Sequence, residues 1–201
     1  PDAAGRRVSV YTTRPDTGFG MTYAVLAPEH PLLAEITTPD RVAEVRTFVD
    51  NARLASEADR LAEGSSLGKR GVFSGAYLLN PFTGKAVPLY TADYVLMAYG
   101  SGAIMAVPGQ DQRDWDFAVS HGLPVVRTVQ TPQGWQGEAW TGDGPAINSA
   151  WLDGLNVKAA KAKAIAWLEE QGIGERKVNY RLRDWGVSRQ RYWGCPIPVI
   201  Y

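Results

Sequence analysis

Four acceptor-rich side chains, Gln110, Asp111, Gln112 and Asp114, crowd the start of a run that leads into Trp115 and Phe117. Carboxylates at this spacing can accept from the free N–H groups of a first helical turn, where the helix dipole also favours them. One of the pair can equally face a ligand while the other caps, and the residues alone leave both uses open. Just upstream, Gly100 and Gly102 bracket Ser101, so the backbone there can take positive φ or approach a ligand closely. A second group is Thr12-Thr13-Arg14, two hydroxyls and a guanidinium, although paired threonines are also ordinary strand formers. A third lies in the tail, where Arg176, Lys177, Arg181, Arg183, Arg189 and Arg191 alternate with Tyr180, Trp185, Tyr192 and Trp193. Such a mix suits RNA or phosphate contacts, and suits as well a packed connector with snorkelling arginines.

Composition narrows the chemistry. The 201 residues are enough for one domain or one and a half, and 21 basic residues balance 21 acidic ones. No global field therefore advertises nucleic-acid binding. A single cysteine, Cys195, rules out an internal disulfide and fits a reducing, cytoplasmic compartment. With only His30 and His121 beside it, a metal site is not expected. Neither histidine stands near a nucleophile motif, which argues against a serine triad. No apolar run approaches the ~18–20 residues of a membrane span, and no secretory leader is visible.

These residues need elements to hold them. Arg6–Thr13 alternates like a strand, ended by Arg14-Pro15-Asp16-Thr17-Gly18. Thr22–Ala27 reads as a second strand, stopped by Pro28 and Pro31. From Pro39, with Thr38 as a candidate cap, Val42, Val45, Phe48, Leu54, Ala58 and Leu61 mark a helical face running to Gly64. After a Gly64–Gly71 loop, Val72–Leu79 and Ala86–Tyr90 read as a hairpin joined by Asn80-Pro81-Phe82-Thr83-Gly84. Tyr94 onward reads as strand, turn, a buried strand Ala103–Val107, a stop at Pro108-Gly109 and a helix from Asp111 to Gly122. Val125–Val129 is expected to be a strand, Gln130–Pro145 an irregular excursion, and Val157–Gln171 a helix capped by Asn156. Short strands with helices between them predict an α+β fold, a β-barrel-like core with helices packed outside.

Three blocks in order resemble the editing domain inserted in leucyl-tRNA synthetases: Val10–Pro31, Tyr99–Asp114 and Leu182–Pro198. Isoleucyl- and valyl-tRNA synthetases carry similar insertions. The Phe19-Gly20-x-Thr22-Tyr23 and Leu26-Ala27-Pro28-Glu29-His30-Pro31 continuations resemble the leucyl family more, with valyl as the runner-up. The resemblance implies a class I aminoacyl-tRNA synthetase editing-domain fold over residues 1–176. It implies that 177–201 is a junction returning to the catalytic body.

It also implies an activity: hydrolysis of the ester joining a wrong amino acid, such as norvaline or isoleucine, to the terminal adenosine of tRNA(Leu). By resemblance Asp114 would hold the substrate ammonium, with Thr12 and Thr13 as the other catalytic residues. Arg14, Thr17, Tyr99, Gly100, Ser101, Met105, Val107 and Asp111 would bind substrate, with Arg14 as a structural or charge partner for an Asp. Thr17 would exclude leucine. No cofactor is implied for the domain, ATP being used by the full synthetase. The expected partners are tRNA(Leu) and the rest of the synthetase in cis, in a monomer. The chain departs from the family at Gly18, usually leucine, and at Gln110, usually histidine. The first is expected to loosen the wall beside Thr17. The second removes an imidazole from the helix mouth. The other reading is a module that positions tRNA and has lost editing.

Overall fold

A computed structural model describes residues 5–54, 70–97 and 100–178. Its centre is the run Tyr23–Leu26 (β1), every residue of which is buried. Alternate side chains of a strand point to opposite faces, so a strand apolar at every position must be covered on both. That is its situation. Tyr23 and Val25 join Phe117 and Ala118 in one cluster, while Ala24 and Leu26 join Leu33, Ile36, Val45 and Leu89 in another.

Gly71–Leu79 (β2) and Ala86–Ala92 (β3) form an antiparallel hairpin, and Ala103–Ala106 (β4) runs antiparallel to β1. The order is β2-β3-β1-β4, with β3 and β1 parallel. Register pairs Ala24 with Leu89 on one side and with Met105 on the other. Leu32–Ile36 (α1) and Val42–Leu54 (α2) supply the Leu33, Ile36 and Val45 side, whereas Gln112–Ser120 (α3) supplies Phe117 and Ala118. Val157–Glu170 (α4) packs apart from these, its Ala160 and Ala164 against Leu152, Phe19, Phe82 and Trp151. The α+β class with helices packed outside short strands is what the chain adopts.

Capping chemistry set the helix starts as expected. Asp111 accepts from Arg113 N and Asp114 N, and Asn156 Oδ1 accepts from Ala159 N at 2.9 Å. Elsewhere tertiary partners decided. Arg6–Thr13 is not a strand: its exposed Val10 has no sheet to pack on, and its Ser9 carbonyl accepts from the Ser101 hydroxyl. Strand propensity expresses itself only against a neighbouring strand. Tyr94 lies in a turn, and Val125–Val129 reduces to a single bridge, Val129 to Ala146.

Pro31 precedes α1 rather than merely stopping β1. Thr38 does not cap α2; its N–H and hydroxyl both donate to Ser74 O, beside the irregularity between Phe73 and Tyr77. Gly75 sits there at φ +83°, against the Thr38 side chain. The expected continuation of α2 through Ala58 and Leu61, the Gly64–Gly71 loop up to Lys69, Tyr99, and the tail from residue 179 lie outside the described residues.

Candidate functional site

Three segments converge beside the sheet. The first is Tyr11–Arg14 with the 3-10 turn Pro15–Gly20; the second is the end of β4 to Val107; the third is the start of α3. They enclose two adjoining hollows of about 150 Å³ each. Thr12, Thr13, Met105, Asp111 and Asp114 line both. Tyr11, Ile104 and Arg113 complete one; Arg14, Thr17, Val107 and Gln110 complete the other.

Asp114 is the buried carboxyl group of the site, 5 % exposed. Its Oδ2 accepts from Val107 N at 2.8 Å and its Oδ1 from the Tyr94 hydroxyl at 3.2 Å. The Tyr23 hydroxyl donates to its main-chain oxygen at 3.0 Å. Burial raises its pKa to about 7, with the Asp111 charge adding to the rise; Val107 N–H, Tyr94 and Arg113 pull the other way without cancelling it. Both tyrosine hydroxyls are held far above their usual range, by burial first and by the Asp114 charge second. They therefore remain proton donors.

Asp111 is the outer carboxylate. In extended conformation it caps α3 and its Oδ2 lies 3.4 Å from Arg113 Nη2. The two acids divide the tasks that their spacing left open: one caps, the other is buried at the meeting of the hollows.

The 3-10 turn is tied internally. Arg14 Nε and Nη2 donate to the Asp16 carboxylate at 3.0 and 2.8 Å, and Asp16 is 4 % exposed. Arg14 is thus a charge partner for an Asp. Its main-chain N–H donates to Thr12 Oγ1 at 3.0 Å. The Thr17 hydroxyl donates to Arg14 O at 2.9 Å, which fixes the side-chain rotamer and with it the direction of the γ-methyl.

Nine of the residues singled out in the sequence meet here: Thr12, Thr13, Arg14, Thr17, Met105, Val107, Gln110, Asp111 and Asp114. Gly100 and Ser101 do not line the hollows. Gly100, at φ +67°, lies against Tyr11 Cβ, and Ser101 holds Ser9, so this turn braces the Tyr11 segment from behind. The Gly18 wall is not loosened: the Phe82 ring occupies the place of the missing side chain. Gln110 keeps a polar contact, its Oε1 accepting from the Thr128 hydroxyl at 2.8 Å, while its Nε2 is buried without a partner.

Tyr11, Ile104 and Arg113 were missed although each adjoins a chosen residue. Tyr23 and Tyr94 were missed as Asp114 partners because nothing local links residues 91 and 20 positions away. Among the described residues no three His, Cys, Asp or Glu side chains gather as a metal site, and no helix is long and apolar enough to cross a membrane.

The family "Leucyl-tRNA synthetase, editing domain" matches residues 2–169. Leucine–tRNA ligases of Synechococcus sp. (strain JA-3-3Ab) and Rubrobacter xylanophilus are each 52% identical, over 98% and 96% of this chain. That of Elusimicrobium minutum is 48% identical over 100% of it. The chain spans about a quarter of the length of these relatives, 24% in each case. A leucyl-tRNA synthetase of Agrobacterium radiobacter K84, solved in a ternary complex with tRNA and LeuAMS, superposes with a TM-score of 0.66 at 37% identity. The match covers 98% of this chain and 21% of that one. The chain belongs to the editing-domain family of leucyl-tRNA synthetases, whose domain hydrolyses mischarged tRNA.

Proposed function

We propose that this chain performs post-transfer editing, hydrolysing the ester of tRNA(Leu) mischarged with norvaline or isoleucine. The single observation that carries the reading is Asp114: a buried carboxylate where two small hollows meet, with Thr12, Thr13 and Thr17 around it. Hollows of about 150 Å³ are well below the ~300 Å³ at which drug-sized pockets begin. They share Thr12, Thr13, Met105, Asp111 and Asp114, and so form the two lobes of one cleft open to solvent. The Thr17 hollow suits an aliphatic side chain, and the Tyr11 and Arg113 hollow the terminal adenosine.

In this reading Asp114 ionises as the substrate ammonium arrives, since an opposite charge lowers a carboxyl pKa. The aminoacyl ester is already activated, so the site supplies position and charge complementarity. Thr12 accepts from Arg14 N–H with one lone pair, leaving its own proton to donate to water or to a developing oxyanion. Water adds to the carbonyl carbon and loses a proton. The C–O bond to the ribose breaks, and the ribose oxygen takes up a proton. The step uses no redox partner and needs no cofactor; ATP serves ligation elsewhere in the synthetase. A second sieve is needed because one methylene gives only ~1–3 kcal/mol of discrimination.

In the same reading the editing unit is 1–176 and 177–201 returns to the catalytic body, the rest of a monomeric cytoplasmic synthetase acting in cis to present tRNA(Leu). The direct test is deacylation of norvalyl- and leucyl-tRNA(Leu), by this chain and by the full-length enzyme, with and without Asp114→Ala. Turnover of the norvalyl ester alone, lost in the variant, is expected. Turnover unaffected by Asp114→Ala would remove Asp114 from its role, and none in the full-length enzyme would favour a tRNA-positioning module.

A further inference from the structure

We infer that Phe82, on the β2–β3 hairpin and outside both hollows, is a specificity-determining positioning residue that sets the depth of Thr17 by filling the space left at Gly18. The inference rests on the editing reading above and adds a residue to it.

Gly18 follows Thr17 in the 3-10 turn and is buried. A Cβ built on it would lie 2.5 Å from Phe82 Cδ2, nearer still to Cε2, and 3.0 Å from Cζ. Real Cβ atoms do not make such contacts, so a side chain at 18 and the ring of Phe82 exclude one another. Gly18 does not stand in the left-handed φ region, and no backbone requirement explains the glycine. Space does. The missing Cβ lets the Phe82 ring come directly onto the 17–18 backbone.

The hairpin is fastened to this point of the turn. Asn80, 1 % exposed, donates from Nδ2 to Gly18 O at 2.9 Å and to Met21 O at 3.3 Å. Its Oδ1 accepts from Phe82 N at 2.9 Å, so one side chain joins the Gly18 carbonyl to the residue that packs on Gly18. Behind the ring stands an aromatic wall. Phe82 lies 5.4 Å from Phe19 and 5.2 Å from Trp167, and Trp151 is 5.7 Å from Phe19 and 5.5 Å from Trp167.

The half-buried ring packs on Trp167 of α4, which limits its retreat on that side. Thr17, with its rotamer fixed by Arg14 O, has one remaining freedom: movement of the 17–18 backbone away from the hollow. Phe82 blocks that movement. A close-packed neighbour of this kind transmits a methyl-sized change as displacement.

The test uses the full-length synthetase with Phe82→Ala, Gly18→Leu and the double variant. It measures deacylation of norvalyl- and leucyl-tRNA(Leu) together with thermal midpoints. Phe82→Ala is expected to keep norvalyl turnover and to lose at least about tenfold of the preference over the leucyl ester, the lower end of what one methylene discriminates. Gly18→Leu alone should lower the midpoint through overlap with the ring. The double variant should regain both the midpoint lost by Gly18→Leu and most of the selectivity lost by Phe82→Ala. A folded Phe82→Ala with the parent's selectivity overturns the inference, as does a double variant whose midpoint is the sum of the two losses. If the parent itself spares norvalyl-tRNA(Leu), the editing reading fails and the selectivity claim with it. The midpoint cycle still decides whether 18 and 82 share one space.

Discussion

At the scale of single residues, Thr17 shows how one hydrogen bond turns a common side chain into a gauge. The hydroxyl is spent on Arg14 O, so the γ-methyl is the part left to meet a substrate. The hydroxyl and methyl roles can be separated by substitution. Thr17→Val keeps the methyl and loses the bond, whereas Thr17→Ser keeps the bond and loses the methyl. If the methyl excludes leucine, Thr17→Ser and Thr17→Ala both hydrolyse leucyl-tRNA(Leu), at least about tenfold faster than the parent. Thr17→Val continues to spare it. Steady-state deacylation of the leucyl ester distinguishes the variants, and leucine protection lost in Thr17→Val but kept in Thr17→Ser would assign the sieve to the hydroxyl instead.

At the scale of elements, the start of α3 couples two carboxylates that a single turn holds together. Asp114 binds its proton more tightly in the folded chain, with a pKa of about 7 against an ordinary 3.8. The folded state therefore holds the extra proton between these values. Stability is fully present below the ordinary range and is lost as pH rises through about 7. Asp111→Asn keeps an oxygen for the cap but removes the charge that helps to raise Asp114. The Asp114 midpoint, read from its carboxyl ¹³C shift, is expected to fall below about 7 in that variant, and the loss of thermal stability with rising pH to become shallower. An unchanged midpoint would mean that burial alone sets it. Asp111→Ala removes the cap as well, and should cost roughly 1 kcal/mol more than Asn in denaturant unfolding.

At the scale of the molecule, the balance of 21 basic and 21 acidic residues gives the chain no strong field with which to collect tRNA. The site is local, and the chain spans about a quarter of the length of the leucine–tRNA ligases it matches; the main grip on tRNA is proposed to lie in the rest of such a synthetase. Compared with the full-length synthetase, the separate chain should deacylate norvalyl-tRNA(Leu) with a raised KM and a less affected kcat. Equal KM values would place the main tRNA contacts within this chain.

What could be read from the sequence was what near neighbours decide. The Asp111 and Asn156 caps, a strand within Thr22–Ala27 and the irregular Gln130–Pro145 stretch follow from side chains acting within a turn or a strand of themselves. The family resemblance then attached Thr12, Thr13, Thr17 and Asp114 to one site. Only the tertiary structure brought them to the same two hollows, and only it chose the outcome where local preference was indifferent. Arg6–Thr13 has strand-forming residues but no strand beside it. Asp114 owes its raised pKa to burial that depends on the surrounding fold. The space at Gly18 belongs to Phe82, brought there by a hairpin 62 residues on through Asn80. Propensity and capping act along the chain, whereas burial, charge coupling and the sharing of space act across it, and the site is built from the second kind.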